Sequence, residues 1–223
     1  MLEMDRLSQY VAVAAGLGTA AYALVDGSKA FLGGVSNYGF GHIRRVMSLF
    51  LPENANSSTP LHLKAVLATL RANWLNGTAL ADQKAIAKSL IKLRLDQDNA
   101  HNLAKATGVD KDKLAAIAGK IASGETLTQQ ENDLFGRFDL MLTAILDEGY
   151  QRADQSYRNS AKAWSIVVSV ALAMVGQSMV NDPSFSVEKA ILIGLVATPI
   201  APIAKDLTSA LSAGVKVAQT FRK

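Results

Sequence analysis

The sequence predicts an all-α integral membrane protein, with three transmembrane helices and a cytoplasmic α-helical bundle inserted between the first and the second. Three observations carry that prediction. Residues 7–25, 163–181 and 190–204 contain no Asp, Glu, Lys, Arg or His. As helices, at 1.5 Å of rise per residue, the first two would be about 28 Å long, close to the hydrocarbon thickness of a bilayer. Between them, residues 35–162 are polar, with sixteen Lys and Arg against thirteen Asp and Glu. No stretch of any length alternates with the period of a strand. The expected organisation is a first transmembrane helix in 1–34 and a cytoplasmic helical domain in 35–162. A transmembrane hairpin follows in 163–205, then a cytoplasmic C-terminal helix in 206–223.

The first span is rich in Ala and Gly. Ala12, Gly16 and Ala20 recur every fourth residue, and so do Ala14 and Gly18, a spacing that lets a neighbouring backbone come close. Ala21-Tyr22-Ala23 has the small-x-small form of a signal-peptide cleavage site, but Glu3 and Asp5 outnumber Arg6 before the apolar run. That charge balance favours a retained helix. In the second span Trp164 follows Lys162, a pair suited to the headgroup layer. The third holds Pro199 and Pro202, each of which removes a helix hydrogen bond, so a kink, a break or a re-entrant half-span is expected there. Lys189 and Lys205 at its two ends reach toward opposite headgroup layers.

Lys and Arg next to the spans set the orientation. Lys29, Arg44, Arg45, Arg152, Arg158 and Lys162 flank the first two spans on the side of the central domain. The tail adds Lys205, Lys216, Arg222 and Lys223, whereas the link at 182–189 has one Lys against Asp182 and Glu188. Positive residues stay inside. The expected topology places the N-terminus and the Asn181-Asp182-Pro183 turn outside, and the central domain and tail inside, in a bacterial inner membrane. The order of spans is similar to that of membrane insertases, although no span carries the intramembrane arginine expected of that group.

Within the central domain, Gly33-Gly34 marks a helix stop. Phe40, Ile43, Met47 and Phe50 then share one helical face, with Arg44, Arg45 and Ser48 on others. Two readings stand level: an amphipathic helix at the inner headgroup layer, or a core helix with two solvated arginines. Pro52 ends this helix and the Asn/Ser-rich stretch 53–58 is a loop. Thr59 and Pro60 have the form of an N-cap and first helical residue, opening a helix with Leu63, Val66, Leu67, Leu70 and Trp74 on its apolar face. Asn76-Gly77 breaks it. Thr78 caps the next helix, which carries Ile86, Leu90 and Ile91. A shorter one follows around Leu103 and closes at Gly108. Asp110 caps another, with Leu114, Ile117 and Ile121, closed at Gly124. Thr128-Gln-Gln-Glu131 is a capping box, and nothing from 128 to 181 strongly breaks a helix. One helix of about fifty residues is expected, running from the domain into the second span and coupling the two rigidly.

Catalytic and ligand chemistry finds little support. His42, His62 and His101 lie in different elements without metal-ligand spacing. Asp110 and Asp112 resemble the start of a calcium loop but lack its glycine and closing glutamate. Gly16-Leu-Gly18 and Gly33-Gly34 lack the strand and lysine of a phosphate loop. Asp139, Asp147, Glu148 and Asp154 alternate with Arg137, Arg152 and Arg158, as on a salt-bridged exposed face. There is no cysteine, and no basic stripe suited to nucleic acid. The reading is therefore a non-enzyme with no metal or cofactor, no nucleic-acid partner, and the lipid bilayer as its surroundings.

Spans without ionisable groups argue against ion-coupled pumping. A passive pathway or helix-kink region would draw on Gln177, Ser178, Asn181, Thr198, Pro199 and Pro202; headgroup contacts would draw on Arg44, Arg45, Lys162 and Trp164. The functional expectation is a homo-oligomeric channel or pore gated by the cytoplasmic helical domain. The alternative is a non-transporting scaffold or adaptor whose domain recruits a cytoplasmic protein partner.

Overall fold

The computed structural model describes residues 2–51, 61–180 and 185–201. The regular structure of the described residues is a succession of helices, with no strand among them. In order these are α1 (Leu2–Gly27), α2 (Ser36–Phe50), α3 (Leu63–Leu75), α4 (Leu80–Lys92), α5 (Gln97–Thr107), α6 (Lys111–Ser123) and α7 (Gln129–Met179), followed by α8 over 187–201. The chain divides into a central unit, residues 36–157, and a flanking unit of residues 1–35 and 158–223. α7 is a single helix of 51 residues, of which 129–157 belong to the central unit and 158–179 to the flanking one.

Helix ends in the central unit follow local side-chain chemistry. The Asp110 carboxylate accepts the backbone N–H groups of Asp112 and Lys113, both at 3.0 Å, and opens α6. Gly108 and Gly124 close α5 and α6 in the left-handed conformation, φ 70° and 73°, which glycine adopts without a Cβ clash. At the start of α7 the capping box is complete. The Thr128 N–H donates to Glu131 Oε2 at 2.8 Å, and the Glu131 N–H donates back to Thr128 Oγ1 at 3.3 Å.

Three expected helix boundaries differ. Thr78 does not cap α4: the N-cap is Ala79, without a side-chain bond, and the Thr78 carbonyl instead accepts Gln83 Nε2 at 2.6 Å. α3 begins at Leu63 after an extended His62, while Thr59 and Pro60, expected to open it, lie outside the described residues, as do Pro52 and 53–58. α1 ends at Gly27, before Gly33-Gly34. A short 3-10 turn at Ser28–Ala30 follows it, then a tight reversal in which Leu32 (φ 55°), Gly33 and Gly34 all take positive φ.

The core of the central unit decides between the two readings of α2. Ile43, Met47 and Phe50, each at most 1% exposed, pack with Leu70, Ile91, Leu103, Leu114, Phe138 and Leu142. That apolar face is consumed by the protein core, so the headgroup-layer helix is set aside and the core helix stands. Arg44 and Arg45 point the other way and are exposed. Close contacts tighten the packing. A Cβ on Gly39 would strike Trp74 and the Ala153 carbonyl, and one on Gly149 would strike Val46. The Trp74 indole N–H donates to the Ser36 carbonyl at 3.1 Å, and its ring meets Tyr157 edge-on at 6.1 Å.

Candidate functional site

The flanking unit is built on small residues. Ala14, Gly18, Ala21 and Val25 form the buried stripe of α1. Gly18 lies so close to α8 that a Cβ there would strike the Ala197 carbonyl. Gly194 of α8 is set equally tightly against the backbone at Val170 of α7. Ser165 and Ser169 are fully buried; Ser165 Oγ donates to the Ala161 carbonyl at 2.7 Å, and Ser169 Oγ donates across to the Gly194 carbonyl at 2.6 Å. Large apolar side chains face outward: Val167, Met179 and Leu192 are 56%, 80% and 61% exposed, and Tyr10, Val13, Leu24, Val175 and Leu195 are exposed as well. α1 and α7 each hold a stretch long and apolar enough to cross a membrane, and within those stretches only 22% and 17% is buried inside the protein.

The residues expected to form a pathway do not come together as one cluster. Thr198 lies half-buried, its Oγ1 3.5 Å from Ser169 Oγ. Gln177 sits eight residues further along α7, about 12 Å of helix away, and its Nε2 donates to the Phe185 carbonyl at 3.1 Å. Ser178 is exposed and bonded to the Val175 carbonyl of its own helix. Pro199 is exposed within α8, which continues helical through residue 201, so no break occurs there. Asn181, the Asp182-Pro183 turn, Pro202, Lys205 and the tail helix expected in 206–223 lie outside the described residues. Lys162 and Trp164 are both exposed on α7.

In the central unit, α2 carries a surface groove of about 640 Å³. Tyr38, Gly41, His42, Arg44, Arg45 and Ser48 of α2 and Leu63 of α3 line it. Among the described residues no carboxylate belongs to this lining. Ser48 Oγ donates to the Arg45 carbonyl at 2.8 Å, so its proton is committed. The Tyr38 hydroxyl, the His42 ring and both guanidinium groups have no hydrogen-bond or ion-pair partner among the described residues. The groove could not be read from sequence, because it depends on the absence of a side chain at Gly41 and on where α3 begins. Arg44 and Arg45 were its only legible part.

The acidic residues of α7 pair differently from the expected single-helix pattern. Glu148 and Arg152 do form a bridge one turn apart, at 2.7 Å. Asp139, however, takes Lys88 and Lys92 of α4 at 2.6 and 3.1 Å, and Asp147 takes Lys84 at 2.5 Å. Burial alone would raise the Asp139 pKa, but the two ammonium groups outweigh it and hold the carboxyl below its ordinary value. Lys120 and the Thr128 N–H lower Glu131 to about 2, while burial pushes the Tyr150 phenol up. These are structural ion pairs and caps. Among the described residues no group of three or more His, Cys, Asp or Glu converges as a metal site. His101 lies 3.9 Å from Asp112, and the other two histidines belong to the groove wall and to the N-cap of α3. Comparison with protein-family models, curated proteins and solved structures gives no match to this chain.

Proposed function

We propose that the chain is an integral membrane protein of three spans that associates with copies of itself and holds its central helical unit at the cytoplasmic face as a recruiting module. The observation that carries this reading is a reversal of side-chain size between the units. The central unit buries Phe, Leu, Ile and Met; the flanking unit buries mainly Ala, Gly and Ser, with Val25 and Val35, and exposes Tyr10, Val13, Leu24, Val167, Val175, Met179, Leu192 and Leu195. Water penalises such an outer surface, whereas lipid accepts it and leaves close backbone packing to hold the helices together. Every polar side chain named in the flanking seam bonds a carbonyl or another hydroxyl, as a water-free setting demands. α8, whose stretch from residue 190 onward carries no charge, is the third span. Lys and Arg beside the first two spans put the central unit inside and the N-terminus outside, in a bacterial inner membrane.

Self-association rests on the second small-residue stripe of α1. Ala12, Gly16 and Ala20 are exposed, and a Cβ on Gly16 would meet nothing within 4 Å. The stripe at Ala14 and Gly18 is already occupied by α8, so this one is left for another copy. The expected result is a detergent-solubilised particle of more than one chain that Gly16→Leu reduces to a monomer. A monomeric wild type would overturn the reading. A pore between copies, gated by the helical unit, is the second reading, favoured by α7 being one helix shared by both units. It requires flux from reconstituted vesicles that falls when Gln177 or Pro199 is replaced; vesicles without flux leave the recruiting module alone.

A further inference from the structure

We infer that the groove on α2 binds a phosphate-bearing anion, held between Arg44 and Arg45. The inference goes beyond membrane residence and stands whichever way the spans lie, because the groove is formed by the central unit alone. Its volume, about 640 Å³, falls within the range of small-ligand sites. Gly41 explains why there is a hollow. It lies one helical turn from Tyr38, Arg44 and Arg45 and two from Ser48, so its missing side chain is the floor around which they stand.

Among the described residues neither packing nor backbone conformation asks for a glycine there. Its backbone is helical, a Cβ would meet nothing within 4 Å, and glycine in mid-helix is about 1 kcal/mol worse than alanine. Gly39, two residues earlier, is by contrast fixed by Trp74 and the Ala153 carbonyl.

The chemistry of the walls selects the anion. Two guanidinium groups on adjacent residues fan about 100° apart around the helix, which suits an acceptor with oxygens in several directions. A flat carboxylate is satisfied by a single guanidinium fork. Here two forks, the Tyr38 hydroxyl and the His42 ring line one groove, and among the described residues no carboxylate lines it with them. A tetrahedral phosphomonoester with two charges uses all four. Both a soluble phosphate compound and a phosphate-bearing lipid headgroup present that chemistry.

The test uses the full chain in phosphatidylcholine nanodiscs and follows phenylglyoxal modification of individual arginines by mass spectrometry. One arm adds inorganic pyrophosphate; the other includes phosphatidic acid in the nanodisc. In at least one arm modification of Arg44 and Arg45 should slow about tenfold, the scale of a lost charge-assisted contact, while exposed Arg137 is unaffected. Protection by pyrophosphate identifies a soluble ligand, and protection by phosphatidic acid alone identifies a headgroup. Gly41→Leu fills the hollow and keeps every charge, so it should abolish the protection. Three outcomes would overturn the inference: no protection in either arm, equal protection of Arg137, or protection that survives Gly41→Leu.

Discussion

At the scale of single residues, Glu131 joins two functions in one carboxylate. It accepts the Thr128 N–H that α7 leaves unpaired at its first turn, and it takes Lys120 of α6 at 2.8 Å. Its pKa falls from 4.5 to about 2 for these reasons. The native state therefore holds this group ionised more firmly than the unfolded chain does. The stabilisation is present in full above about pH 4.5 and is lost as pH falls toward about 2. Asp139, lowered by Lys88 and Lys92, adds to the same trend. Thermal melts across that window should show the wild type losing stability, with a smaller loss for Glu131→Gln; identical pH profiles would contradict the assignment. The capping box was legible because its two residues sit three apart in the chain. The Asp139–Lys88 pair was not, because a bridge between helices 51 residues apart leaves no local pattern.

At the scale of elements, α1 contains its own control experiment. Gly18 and Gly16 are two residues apart on the same helix, but only Gly18 faces α8. Gly18→Ala should lower the melting temperature in detergent, since its Cβ would strike the Ala197 carbonyl. Measured at a dilution where copies are dissociated, Gly16→Ala, with open space around it in the single chain, should leave the melting temperature unchanged or raised, in line with helix propensity. Equal effects from the two would show that the α1–α8 seam is misassigned. Helical spacing in the sequence identified both stripes as close-packing faces, yet it had no means of saying which neighbour each would meet. α2 shows the same limit. Its apolar face at Ile43, Met47 and Phe50 was plain, but a face that packs in a core and one that lies on lipid look alike in one dimension. Only the burial of those three side chains among Leu70, Leu103 and Phe138 separates the two.

At the scale of the whole molecule, the all-helical class was legible from periodicity and from charge-free segments long enough to cross a bilayer. α1 and the far part of α7 bear out two such helices by length and composition. What sequence could not supply is the direction in which each apolar side chain faces, and on that the membrane assignment turns. The absence of cysteine makes the question directly measurable. Single cysteines placed at Val167, Val175, Leu192 and Lys105 and spin-labelled in reconstituted vesicles report access to oxygen, which partitions into lipid, and to a polar nickel chelate, which does not. The labels at 167, 175 and 192 should be reached by oxygen and shielded from the chelate, and the label at 105 should show the opposite. Chelate access at 167, 175 and 192 equal to that at 105 would contradict it.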